Sequence, residues 1–135
     1  MTIKGLDGKQ YNWNPTSSQA EVSNRSLLHI KARDLLSEIF KHDRILEEVS
    51  LPGTKNEFRK TTLRGDLFLP NRKILIEVHG EQHYKFNRFF FKNKLQFFKA
   101  KARDGDKKQW CEINNIKLIE LNYNEDIDEW RRKIQ

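Results

Sequence analysis

Residues 63–79, LRGDLFLPNRKILIEVH, constrain the fold more than any other part of the chain. Two apolar runs, Leu67–Leu69 and Ile74–Val78, flank Pro70-Asn71-Arg72-Lys73, and apolar runs around such a tetrapeptide read as two strands joined by a turn. With those four residues as the turn, Leu69 faces Ile74, Phe68 faces Leu75, Leu67 faces Ile76 and Asp66 faces Glu77, because opposed residues share a face. One face then carries Leu67, Leu69, Ile74, Ile76 and Val78. The other gathers Asp66, Glu77 and, two residues further on, His79. A slip of one residue would scatter the three.

Carboxylates about 5 Å apart across a strand pair repel, and burial raises the cost of ionising both. A hard divalent cation removes the conflict: Mg²⁺ accepts one or two carboxylates, keeps several waters and bridges to a phosphate. Such an ion lowers the pKa of a bound water, and a neighbouring imidazole can orient or deprotonate that water. Taken alone, Asp66 reads as a turn residue and Glu77 as an exposed strand residue. Together with the polar cluster His79, Glu81, Gln82 and His83 directly after a core-like run, they read as a phosphodiester-hydrolysing site.

Charge supports a polyanionic partner. The formal net charge is +7, and residues 85–108 hold nine Lys/Arg against Asp104 and Asp106, with phenylalanines interleaved. The phenylalanines read as the core face of an amphipathic helix. The basic residues, among them Lys85, Arg88, Lys92, Lys94, Lys99 and Lys101, read as a surface that tracks phosphates. Gln82 and His83 are expected to contact phosphate or support the site. A membrane surface fits less well, because the segment needs its Phe face for packing.

The remainder orders the elements. Residues 1–24 are polar and read as an arm or small hairpin, anchored through Tyr11-Asn12-Trp13. Residues 25–135 form the main domain. Leu28, Ala32, Leu35, Leu36 and Ile39 have helical spacing, with Ser23, Asn24 or Ser26 as caps. A strand precedes Pro52-Gly53, a long helix runs from about Phe89 to Asn114 with a break near Gly105, and IKLIELNY is a further strand. A last helix is capped by Asn124. A helix, three strands, a helix, a strand and a helix make a mixed β-sheet flanked by α-helices, an α/β fold. No apolar run nears the roughly 18–20 residues of a bilayer span, and no signal layout is present, so a cytoplasmic protein is expected. The single cysteine, Cys111, excludes an internal disulfide and reads as a small buried hydrophobe.

The segment GDLFLPNRKILIEVHG resembles the core of the PD-(D/E)XK nuclease superfamily, in which an acid on one strand is followed by (D/E)-x-K ending the next. Asp66 and Glu77 match the acids. His79 stands where the superfamily has lysine, which moves the resemblance towards the very-short-patch-repair-like branch and phage or bacterial nucleases. The segment RDGDKKQWCEINNIKLIEL is similar to the helix and strand that follow that core.

The resemblance implies a restriction-endonuclease-like sheet and a DNA endonuclease dependent on Mg²⁺ or Mn²⁺, working in repair, recombination or homing in a bacterial cell or phage-infected host. It also implies that Asp66 and Glu77 hold the metal with the Val78 carbonyl and that His79 positions or activates water. For so short a chain, a homodimer or partner protein is expected to supply specificity. The superfamily adds an acid near the start of the first helix. Here His29 is best placed, Glu38 is too far round, and Glu47 or Glu48, whichever points inward, is the other choice. The replaced lysine and absent helix acid also admit a nucleic-acid-binding module on this scaffold with catalysis weak or lost.

Overall fold

The computed structural model describes residues 1–18, 26–80 and 94–135. A short antiparallel hairpin, β1 (Thr2–Lys4) and β2 (Gln10–Asn12), precedes helix α1 (Leu27–Ile39), strands β3 (Leu46–Leu51), β4 (Leu63–Leu69) and β5 (Ile74–His79), helix α2 (Lys94–Ile113), strand β6 (Lys117–Asn122) and helix α3 (Ile127–Ile134). The main sheet has the order β3-β4-β5-β6. Its first three strands form an antiparallel meander, and α2 carries the chain across to β6, which pairs parallel to β5. The fold is therefore α/β with a mixed four-stranded sheet. Among the described residues, no helix is long and apolar enough to cross a membrane.

The β4–β5 register follows from the turn: Leu67 pairs with Ile76, Phe68 with Leu75 and Leu69 with Ile74. Each face buries its own cluster. Leu67, Leu69, Ile74 and Ile76 pack with Ala32, Leu35 and Leu36 of α1 and Trp130 of α3, while Phe68 and Leu75 pack with Trp110 and Cys111 of α2. The N-terminal hairpin joins the α2-side cluster. Trp13 is buried and stands edge-on to Trp110, with ring centres 5.3 Å apart.

Alternation breaks once, and the site forms there. Leu46 and Val49 lie on the same side although three residues apart, and so do Leu63 and Phe68 although five apart. The ladder pairs Glu47 with Leu67 and resumes at Val49 with Gly65, so Glu48 and Asp66 occupy the step between. Glu48 is left-handed, at φ 52°. A non-glycine residue there stores about 1–3 kcal/mol, a strain concentrated at functional sites.

Gly65 has a steric reason to be glycine. A Cβ at this position would run into the Cδ1 of Leu75, a fully buried side chain. Gly65→Ala is expected to cost about 1–3 kcal/mol by overpacking, lowering Tm by roughly 3–10 °C. Thermal unfolding followed by circular dichroism measures it, and an unchanged Tm would mean that Leu75 has room to move.

Helix α2 departs from expectation twice. It runs unbroken through Gly105, where an added Cβ would meet nothing within 4 Å; a solvent-facing glycine weakens a helix without ending it. Its buried residues are Trp110 and Cys111, while Phe98 is 61% exposed, so the described phenylalanines do not form the core face. Burial pushes the Cys111 thiol up to about 12, leaving it a neutral packing group. The cap of α3 is Asp126, whose carboxylate accepts from Glu129 N–H at 2.8 Å, rather than Asn124. Ser26 caps α1 by accepting from His29 N–H.

Candidate active site

Asp66 and Glu77 are fixed where the β4–β5 ladder stops. Glu77 Oε2 accepts from the Asp66 N–H at 2.8 Å, and Asp66 Oδ2 accepts from the Val78 N–H at 2.8 Å. Each carboxylate thus satisfies the other strand's backbone where the next carbonyl would have done so. From α2, Lys107 Nζ lies 2.5 Å from Glu77 Oε1. Glu77 is buried and Asp66 half-buried.

The electrostatics follow. Burial first, then the charge of Asp66, pushes Glu77 up to about 8, with Lys107 opposing the shift. Burial also raises Asp66, against the pull of Lys107 and the Val78 N–H. For Lys107 burial works downward, but Glu77 and Asp66 outweigh it and hold the ammonium above its ordinary range. Lys107 stays charged while the two acids compete for it.

On the α1 side, His29 is buried with Nε2 3.0 Å from Glu47 Oε1 and Nδ1 3.7 Å from Glu48 Oε1. Arg33 Nε adds a contact to Glu47 Oε2 at 3.6 Å. Both glutamates therefore address His29. The expectation that only one could point inward assumed regular alternation, which the left-handed Glu48 breaks.

One donor atom from each of His29, Glu48 and Asp66 lies within 4.8 Å of the others. An imidazole nitrogen and two carboxylates suit a divalent cation such as Mn²⁺ or Mg²⁺. The donor set fits the ion that the resemblance implies, although through a set different from the expected Asp66, Glu77 and Val78. Glu77 is outside this group, tied to Lys107.

A cleft of about 1030 Å³ opens at this point. Glu48, Asp66 and Lys107 line it together with Arg59, Arg64, Lys99 and Arg103. Helix α2 supplies one wall through Leu95, Lys99, Ala102, Arg103, Asp106 and Lys107, a stripe at helical spacing that continues into the core as Trp110 and Cys111. The opposite wall comes from β3, β4 and their connection, tied to α2 by Arg59 Nη2 and Asp106 Oδ2 at 2.8 Å. The N-terminal segment, read from the sequence as a polar arm or small hairpin, contributes Thr16, Ser17 and Ser18. Ser17 Oγ accepts from Glu47 N–H at 2.9 Å, and Ser18 N–H donates to Glu47 O at 3.1 Å, extending the β3 edge.

His79 is buried on β5 and shares the parity of Leu75 and Glu77, but it is not among the three clustered donors. Its carbonyl accepts from Tyr123 N–H at 2.8 Å and ties β5 to the end of β6. Lys99 lines the cleft; Lys94 is exposed at the start of α2, and Lys101 lies 5.8 Å from the ring centre of Phe97. Gln82, His83, Lys85, Arg88 and Lys92 lie outside the described residues. Lys107 was not singled out in the sequence. Its signal was the spacing to Trp110 and Cys111, three and four residues on, which places it on the inward face of α2.

The chain is 39% identical over 72 residues to uncharacterized protein 307L of invertebrate iridescent virus 6, an alignment covering 53% of this chain and 36% of that protein. It is 36% identical over 80 residues to uncharacterized protein 033L of invertebrate iridescent virus 3, covering 56% of this chain and 41% of that protein. The matched region is thus well under half of either viral protein. No protein-family model matches the chain. No solved structure matches it.

Proposed function

We propose that this chain is a metal-dependent endonuclease that hydrolyses phosphodiester bonds in DNA, on a restriction-endonuclease-like version of its mixed sheet. The observation that carries the reading is the cleft itself, where Glu48, Asp66 and the inward lysine Lys107 share one space with Arg59, Arg64, Lys99 and Arg103. A purely structural ion-pair cluster needs no basic approach, and a simple anion-binding groove would not place carboxylates against its ligand.

His29, Glu48 and Asp66 would hold Mg²⁺ or Mn²⁺, which when bound supplies charge neutralisation at a phosphate and a more acidic water. The protein's own groups do the rest. The Val78 N–H fixes Asp66 and the Asp66 N–H fixes Glu77, so neither acid needs to reorganise. Glu47 holds one edge of His29 and leaves the other facing Glu48. Lys107 keeps its charge while shared with Glu77 and presents it to a phosphate in the cleft. The viral origin of both relatives suits a virus-encoded enzyme of DNA repair or recombination.

The test is nicking of supercoiled plasmid with Mg²⁺ or Mn²⁺ beside an EDTA control. Metal-dependent conversion to open-circle or linear DNA is expected. Tight binding with no cleavage in any divalent metal would instead support a DNA-binding module, a reading favoured by the engagement of Glu77 with Lys107 and by histidine in place of the expected lysine. Cleavage of RNA but not DNA would reassign the substrate.

A further inference from the structure

The least polar feature of the cleft bears on which form of nucleic acid it accepts. Phe58 lines the cleft and is 85% exposed. It does not sit on a loose loop. Asn56 and Arg59 exchange backbone hydrogen bonds at 3.0 and 3.2 Å, and Asn56 Oδ1 accepts from Phe58 N–H at 2.8 Å. Arg59 then donates to Thr54 O at 2.7 Å and to Asp106 Oδ2 at 2.8 Å, anchoring the turn to α2. Thr54, itself 1% exposed, accepts from Leu63 N–H at 2.8 Å and donates to Leu51 O at 2.7 Å. A phenyl ring is therefore held out in solvent by a hydrogen-bonded scaffold. Leu95, 61% exposed, lines the same cleft from α2.

Exposed apolar groups on a fixed mount, beside cationic walls, suit a ligand with alternating flat apolar and anionic parts. A nucleic-acid strand has that character, since its bases offer π-faces and its phosphates meet the basic groups. In a duplex the bases are already stacked and paired, so a ring gains a base at least cost where one is unpaired. The cleft's 1030 Å³ is also on the scale of a pocket for a few nucleotides.

We propose that Phe58 is a stacking platform for an unpaired base, and that the cleft takes single-stranded or locally unpaired nucleic acid. This rests on the cleft being a nucleic-acid site; it does not depend on cleavage. The test is fluorescence anisotropy in EDTA with a labelled oligothymidylate of about 20 nucleotides and the duplex of the same length. The wild-type chain is expected to prefer the single strand. Phe58→Ala should weaken single-strand binding about tenfold with an unchanged salt slope, and leave duplex binding within about twofold. Because Phe58 is exposed, the substitution leaves the core intact. Phe58→Trp should restore affinity, and its emission should be quenched at saturation, a stacking signature a structural role would not produce.

Single-strand affinity unchanged in Phe58→Ala, or equal losses for both forms, overturns the proposal. Binding of neither form overturns it together with the nuclease reading. Phe58-dependent binding without cleavage in any divalent metal upholds it and overturns the nuclease reading alone.

Discussion

Asp66→Asn is expected to lower metal-dependent nicking by roughly 10²–10³-fold or more, the scale of losing one preorganised electrostatic group at a reacting centre. The substitution keeps the side chain's shape and an acceptor for the Val78 N–H, so the end of the β4–β5 ladder should survive. It removes one of the two carboxylate charges among the three clustered donors, and with it the charge that helps to raise Glu77. Three readouts should therefore move in different directions. Nicking falls, DNA binding in EDTA holds or tightens because a negative charge leaves a basic cleft, and thermal stability without metal holds or rises. A misfolded variant would lose all three. Nicking at the wild-type rate would end the nuclease proposal.

Lys107→Met should behave differently. It leaves the buried Glu77 and the half-buried Asp66 without their cation, and stranding one partner of a buried pair such as Lys107–Glu77 costs about 3–5 kcal/mol. Nicking and stability should fall together, with the stability loss largest at alkaline pH, where the acids ionise. The contrast separates the two roles: Asp66 charged for a ligand, Lys107 charged for the fold as well.

Why one half of this site was legible and the other was not comes down to range. The pairing of Leu67, Phe68 and Leu69 with Ile76, Leu75 and Ile74 is local: a four-residue turn and a period of two fix it, and the positions of Asp66 and Glu77 follow. Glu47 and Glu48 sit in an equally strand-like run, but period-two reasoning assumes extended backbone throughout. A left-handed Glu48 resets the faces, and no residue type announces it, since glutamate has no preference for that conformation. Lys107 lies 30 residues from Glu77, and only the crossover of α2 brings them together. Phe58 stands among Lys55, Asn56, Glu57, Arg59 and Lys60, polar neighbours that mark no site, and its fixed mount depends on Arg59 reaching Asp106, 47 residues away. Phe97 and Phe98 misled in the other direction. Aromatic content was read as core, but the α2 stripe that packs inward runs through Trp110 and Cys111.

Stability without divalent metal is expected to fall as pH rises from about 5 to about 8. Glu77 is pushed up to about 8 in the folded protein from an ordinary 4.5. Between those values the folded chain keeps a proton that the unfolded chain has released, so folding takes up a proton and raising the pH opposes it. The contribution is fully present below the unfolded pKa and is gone once the pH passes the folded one. Asp66 is shifted in the same direction, by burial. Lys107 works oppositely placed on the scale: its raised pKa supports the fold throughout this window and is lost only at more alkaline pH. Because the acids are coupled, a total of about 1–3 kcal/mol is expected across the window, a Tm drop of roughly 3–10 °C. Glu77→Gln, which cannot ionise, should flatten the profile and exceed the wild type at pH 8. Mn²⁺ favours ionised carboxylates, so its stabilisation should be larger at pH 8 than at pH 6. Thermal melts in EDTA and in Mn²⁺ at the two pH values decide the matter. If Glu77→Gln keeps the wild-type slope, the proton is held elsewhere, and if Mn²⁺ stabilises equally at both, the cation does not compete with protons for these acids.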